Sequence, residues 1–62
     1  MADFSKELKE ARLAANLTQQ GMADLTLVPR RTIQEWEAGT RNPPEYVKRW
    51  VLAELKEIMN EL

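Results

Sequence analysis

Residues 17–43 read LTQQGMADLTLVPRRTIQEWEAGTRNP, and this stretch contains the signals that decide the fold. Thr18 is a favoured helix N-cap, because its hydroxyl can accept a hydrogen bond from a free N–H in the first helical turn. Pro29 suits the start of a second helix, where its missing N–H would have no intrahelical partner, and Gly39 suits the end of that helix. The stretch therefore predicts two short helices joined by a turn.

Helical signals continue on both sides of this pair. Upstream, Ser5 is the expected N-cap of a first helix, and Asn16 is its expected end because asparagine tolerates the left-handed backbone conformation. Downstream, Pro44 opens a helix whose apolar residues recur every three or four positions. The predicted helices span about residues 5–15, 18–25, 29–38 and 44–60. We therefore predict one all-α domain over residues 1–62, with four helices of which the last is the longest.

The composition excludes several classes of function. The 62 residues include neither cysteine nor histidine, so the chain offers no disulfide, no Cys/His metal site and no Ser–His pair. No apolar run approaches the roughly 18 residues that a membrane span needs, and residues 1–5 are neither basic nor long enough for a signal peptide. We therefore expect a cytoplasmic protein that is not an enzyme, with no cofactor, metal, membrane contact or small-molecule ligand.

The charges are unevenly distributed along the chain. The formal net charge is −1, which counts against a nucleic-acid partner because such domains are usually basic. Residues 29–50, however, carry five basic and three acidic side chains and sum to +2. Residues 51–62 carry one lysine and three glutamates and sum to −2. Because a phosphate responds to the local field, the middle of the chain remains a candidate for binding nucleic acid.

Several short motifs together resemble one known family. They are LKEAR at 8–12, LTQQ at 17–20, MA at 22–23, VPRRTI at 28–33, WEAG at 36–39 and RNP at 41–43. In this combination they resemble the phage Cro- and repressor-type helix-turn-helix proteins, also called the XRE family, over residues 4–43. The resemblance implies a lambda repressor-like fold and sequence-specific binding of double-stranded DNA by a recognition helix in the major groove. It further implies a transcriptional repressor or regulator of phage or mobile-element type, from a bacterium or a phage.

The resemblance also implies roles for individual residues. Four residues match positions that face DNA bases: Arg30, Arg31, Gln34 and Glu35. Four match positions that approach the DNA backbone: Thr18, Gln19, Thr40 and Arg41. Arg12 and Glu37 match a structural ion pair between the first and third helices. Because successive helix residues point about 100° apart, we expect one of the two leading arginines to read a base and the other to touch a phosphate or a neighbouring base. A glutamate at position 35 can accept from a cytosine amino group or steer an arginine.

Two positions in the predicted turn depart from the family pattern. Thr26 stands where the family usually has an apolar residue, and Leu27 stands where it usually has glycine. A leucine forced to positive φ is strained. We therefore expect a remodelled turn in which Leu25 or Leu27 takes over the core role of the missing apolar residue.

The last predicted helix is more hydrophobic than a domain of this size requires. One recognition helix makes few base contacts, and domains of this kind usually pair on half-sites about 34 Å apart, so we expect a homodimer. The candidate dimer residues are Trp50, Val51, Leu55, Ile58, Met59 and Leu62. Trp50 also fits a place in the core. The alternative function is a protein-interaction module such as an antitoxin, in which this helix docks into a groove of a partner and binding depends little on salt.

Overall fold

The computed structural model describes residues 3–62, and this part of the chain contains four α-helices and no strand. The helices are α1 (Phe4–Ala14), α2 (Gln19–Thr26), α3 (Arg30–Ala38) and α4 (Glu45–Glu61). The all-α prediction is confirmed, and each helix end differs from its predicted position by one residue at most. The predicted domain also includes residues 1 and 2, which lie outside the described residues. Within residues 3–62, no helix is both long enough and apolar enough to cross a membrane.

The predicted N-cap, Ser5, would place the first helical residue at position 6, whereas α1 begins at Phe4. Asp3 is the N-cap, and its carboxylate accepts a hydrogen bond from the Ser5 N–H at 3.2 Å. Ser5 is the second residue of α1 and is buried, so the prediction of a Ser5 cap was wrong. An N-cap needs extended backbone, which the chain has at Asp3 (φ −75°, ψ 124°). Asn16, just past the end of α1, takes the expected left-handed conformation with φ 60°.

The next two helices begin and end at the signals in the sequence. The Thr18 hydroxyl oxygen accepts from the Gly21 N–H at 2.9 Å and caps α2. Pro29 and Pro44 directly precede α3 and α4. Gly39 ends α3 in the left-handed conformation at φ 79°, where a side chain would be strained.

A small apolar core holds the four helices together. Each helix contributes at least one side chain with no exposed surface: Leu8, Met22, Ile33, Val51 and Leu55. Phe4 and Trp36 add an edge-to-face aromatic pair with ring centroids 6.3 Å apart. α1 packs against both α3 and α4, and α2 packs against α3. The third helix is therefore held from two sides.

The turn between α2 and α3 differs from our expectation. Leu27 has φ 61° and is 88% exposed, and Leu25 is 42% exposed, so neither leucine enters the core and that prediction was wrong. Thr26 occupies the buried position itself. Its hydroxyl donates to the Met22 carbonyl at 2.8 Å and accepts from the Val28 N–H at 3.3 Å. Because the backbone satisfies this hydroxyl, a polar residue is accommodated where the family usually has an apolar one.

We predict that Leu27→Gly stabilises the domain. The left-handed conformation costs a leucine roughly 1–2 kcal/mol, and glycine adopts it freely, although glycine also loses more backbone entropy on folding. Little apolar burial is lost, because the Leu27 side chain is 88% exposed. We expect urea unfolding to show a gain of up to about 1 kcal/mol. Leu13→Gly is the matched control, an exposed leucine inside α1 whose replacement should destabilise by about 1 kcal/mol. A Leu27→Gly variant less stable than the parent would contradict this account of the turn.

Candidate nucleic-acid interface

The first turn of α3 presents two exposed arginines. Arg30 and Arg31 are the first two residues of the helix, and neither forms an ion pair with another residue of 3–62. No side chain in this described range caps the start of α3, where the first N–H groups also have no intrahelical partner. The positive end of the helix dipole lies at the same place. This end of α3 therefore combines two full positive charges with backbone N–H donors, which together favour an anion.

The predicted base-facing residues share one side of α3. Gln34 lies four residues after Arg30 and Glu35 lies four residues after Arg31, so the four side chains form two adjacent rows. Arg30, Arg31 and Gln34 are exposed and Glu35 is half-buried. The opposite side of the helix is anchored by the buried side chains of Ile33 and Trp36. An exposed polar face with an apolar face behind it is suited to entering a groove.

The segment after α3 folds back onto the last turns of that helix. The Glu35 carbonyl accepts from the Thr40 N–H at 3.1 Å, from the Thr40 hydroxyl at 3.2 Å and from the Arg41 N–H at 3.4 Å. The Glu35 carboxylate also lies 3.5 Å from Nε of Arg41. Thr40 and Arg41, both predicted to approach the DNA backbone, are exposed.

Behind the exposed face, a buried polar network joins three helices. Nε and Nη2 of Arg12 donate to the two carboxylate oxygens of Glu37 at 2.7 and 3.1 Å. Nη1 of Arg12 donates to the Leu17 carbonyl at 2.8 Å. The Arg12 and Glu37 side chains are only 9% and 6% exposed. This bidentate pair fixes α3 relative to α1 and to the start of α2.

Thr18 and Gln19, which are predicted to contact the DNA backbone, also make contacts inside the protein. Nε2 of Gln19 donates to Oε1 of Glu37 at 3.3 Å, which ties the first residue of α2 to α3. A primary amide has two N–H donors, so one remains for another acceptor. The Thr18 hydroxyl oxygen is used in the cap of α2, and its O–H hydrogen remains a donor.

The candidate dimer residues on α4 separate into two groups. Val51 and Leu55 have no exposed surface because they fill the chain's own core, so their assignment to a dimer surface was wrong. Ile58 is half-buried against the same core. Trp50, Met59 and Leu62 remain exposed, at 43%, 40% and 72%, and the core position considered for Trp50 is excluded.

One exposed aromatic residue on α4 was not among the candidate dimer residues. Tyr46 is 74% exposed and lies four residues before Trp50, so the two rings share one side of the helix. The spacing of four was visible in the sequence. The sequence does not show that Val51 is buried in the core while the row with Tyr46 and Trp50 stays exposed.

Comparison with known proteins gives one match. Residues 8–47, well over half of the 62-residue chain, match the model of a family described as helix-turn-helix. The matched range contains α2, α3 and both members of the buried ion pair. No curated protein and no solved structure gives a significant match to the chain.

We predict that removing one charge of the buried pair strongly destabilises the domain, and that removing both charges destabilises it much less. Glu37→Leu leaves the Arg12 guanidinium buried without its carboxylate and should lower the free energy of unfolding by about 3 kcal/mol or more. The double variant Arg12→Met/Glu37→Leu removes both charges and should recover a large part of that loss. Glu37→Gln, which keeps the shape and one acceptor, should fall between the parent and Glu37→Leu.

Urea unfolding of the three variants checks this prediction. Glu45→Ala is the control, because it breaks an exposed pair with Arg49 at 3.9 Å and should change stability by less than about 1 kcal/mol. If the double variant is no more stable than Glu37→Leu, the stability lost in the single variant does not come from an unpaired Arg12 charge.

Proposed function

Because this chain belongs to the XRE-type helix-turn-helix family of DNA-binding regulators, we propose that it is a sequence-specific repressor of phage or mobile-element type. The matched family is a DNA-binding family and not an enzyme family. In this proposal the protein acts on bacterial or phage DNA in the cytoplasm. The first turn of α3 enters the major groove of double-stranded DNA, as recognition helices of this motif do. The observation that carries the proposal is the exposed pair Arg30–Arg31 at the start of a helix that is anchored on its other side.

The arginines are the proposed base readers. An arginine fork matches O6 and N7 of guanine, and a good pair of this kind contributes about 1–3 kcal/mol of discrimination. Arg30 and Arg31 point about 100° apart, so one reads a guanine while the other contacts a phosphate or a neighbouring base. Gln34, on the same exposed side, suits an adenine, to which glutamine can bind bidentately through N6 and N7.

Phosphate contacts are proposed at the two edges of α3. On one edge are Thr18 and Gln19, each with a donor hydrogen left after its internal contact. On the other edge are Thr40 and Arg41, both exposed. The surplus of positive charge in residues 29–50 supports this arrangement, because neutralised phosphates release counterions and so increase affinity.

We predict that Arg30→Ala and Arg31→Ala weaken DNA binding without unfolding the domain. Duplexes retained by the parent protein are selected from a random pool, and affinity for them is measured by fluorescence anisotropy. In the variant that loses the base contact, the binding free energy should weaken by about 1–3 kcal/mol, which raises Kd roughly five- to more than a hundredfold. The other should lose affinity more uniformly across sequences and show a smaller salt dependence.

The helical circular dichroism signal should stay unchanged in both variants, since the two side chains are exposed. Lys9→Ala is the charge-matched control, because Lys9 is exposed on α1 and has no proposed contact. If both arginine variants bind DNA as tightly as the parent, Arg30 and Arg31 do not belong to the proposed interface.

We also propose that the protein acts as a homodimer through α4, since two recognition helices on one duplex multiply the base contacts. Exposed apolar side chains on α4 support this proposal, with Tyr46 and Trp50 on one side of the helix and Met59 and Leu62 on another near its end. Sedimentation should show a concentration-dependent dimer that Met59→Glu weakens. Leu13→Glu, on an exposed leucine of α1, should leave it intact. A parent chain that stays monomeric at high concentration would contradict this part of the proposal.

A further inference from the structure

Glu35 holds the segment after α3 with both its backbone and its side chain. Its carbonyl accepts from the N–H groups of Thr40 and Arg41 and from the Thr40 hydroxyl, at 3.1 to 3.4 Å. Its carboxylate lies 3.5 Å from Nε of Arg41. One residue of α3 therefore restrains the position of Arg41 along the backbone and the direction of its side chain.

The contact leaves most of the Arg41 guanidinium available. A guanidinium has five N–H donors in a planar fork, and Nε is the atom of Arg41 nearest the Glu35 carboxylate. The Arg41 side chain is 72% exposed, so most of it remains open to solvent. A carboxylate near Nε favours one direction of the group while most of its donors stay free for a second anion. Such preorganisation reduces the conformational entropy lost when that anion binds.

The same contact makes Glu35 a poor reader of bases. A glutamate reads cytosine by accepting from N4, which requires its carboxylate to face the groove. The Glu35 side chain is only 33% exposed, and its carboxylate faces a cation of its own protein. An unpaired carboxylate at this place would also repel the DNA phosphates. Pairing with Arg41 neutralises that charge.

From these observations we infer that Glu35 is a positioning residue, which acts on DNA by orienting the Arg41 guanidinium toward a phosphate beside the end of α3. The inference rests on the proposed DNA-binding function and adds to it a division of labour on the recognition helix. Arg30, Arg31 and Gln34 supply the base contacts, and Glu35 organises a backbone contact.

A double-mutant cycle tests this inference. The parent, Glu35→Ala, Arg41→Ala and the double variant are each titrated with short random-sequence duplexes over a range of salt concentrations. In the parent background, Arg41→Ala should weaken binding several-fold and reduce the salt slope by about one. In the Glu35→Ala background the same change should have a clearly smaller effect, because the guanidinium is no longer oriented. Arg41→Lys keeps the charge without the planar fork and should retain only part of the parent affinity.

Two further readouts separate positioning from the other roles of a glutamate. Selection from random duplexes with Glu35→Ala should return the same base preference as the parent, and a preference changed at one position would overturn the inference in favour of base reading. The inference is also overturned if Arg41→Ala has an equal or larger effect in the Glu35→Ala background. Glu35 would then have no effect on the contact made by Arg41, or would hold Arg41 away from the phosphate. The exposed pair of Glu45 and Arg49 is the control cycle and should show no coupling in DNA binding.

Failure of the proposed function gives a different result. If the parent does not bind duplexes in a salt-dependent manner, the DNA-binding proposal fails and this inference fails with it. If the parent binds with a steep salt slope and the cycle is additive, only the role of Glu35 is overturned.

Discussion

Arg12 and Glu37 carry opposite charges into the interior of the protein, and their contact links α3, the helix of the proposed interface, to α1. Moving each charge out of water costs several kcal/mol, which the pair offsets only if its geometry is good and its remaining donors and acceptors are satisfied. Both conditions are met. The pair is bidentate, and the Leu17 carbonyl and the Gln19 amide complete the network at 2.8 and 3.3 Å. Because these bonds are directional, they favour this arrangement of α1, α2 and α3.

The orientation of α3 in turn determines where charge is presented. Its buried face, with Ile33 and Trp36, is covered by neighbouring helices, and its first turn projects Arg30 and Arg31 outward. The net charge of −1 does not prevent an anion from binding there. At physiological ionic strength the screening length is about 8 Å. That is short beside the 30 Å long axis of the described residues, so a phosphate is influenced by adjacent arginines more than by distant glutamates.

Much of the fold follows from local signals, and the errors arise where the sequence does not show which side chains the folded chain buries. Thr18 and Gly39 mark helix ends because the relevant physics is confined to one turn. Thr26 is different, because a buried hydroxyl is acceptable only where backbone groups stand ready to pair with it, as the Met22 carbonyl and the Val28 N–H do here. No pattern in the sequence shows that such partners are present. The turn could therefore keep a strained residue at position 27 without being remodelled.

The candidate site shows the same limit, because burial again decides what the sequence leaves open. The two leading arginines were visible from their place after Pro29, and the family resemblance implied the partnership of Arg12 and Glu37. On α4, by contrast, apolar periodicity could not distinguish the row that fills the core from the row that stays outside, since both rows repeat every three or four residues. Val51 belongs to the first row and Trp50 to the second. The pairing of Glu35 with an arginine in the following segment was one of two roles considered, and only the folded geometry favours it.

If the first turn of α3 meets the guanine edge in the major groove, as proposed, methylation interference on a bound duplex will detect it. Dimethyl sulfate methylates guanine at N7, in the major groove, and adenine at N3, in the minor groove, so one reaction probes both sides of the duplex. On a duplex that the protein retains, we predict that N7 methylation blocks binding at guanines in two clusters about one helical turn apart, and that N3 methylation there has little effect. Binding that tolerates N7 methylation at every guanine, or that is blocked only from the minor groove, would contradict the account.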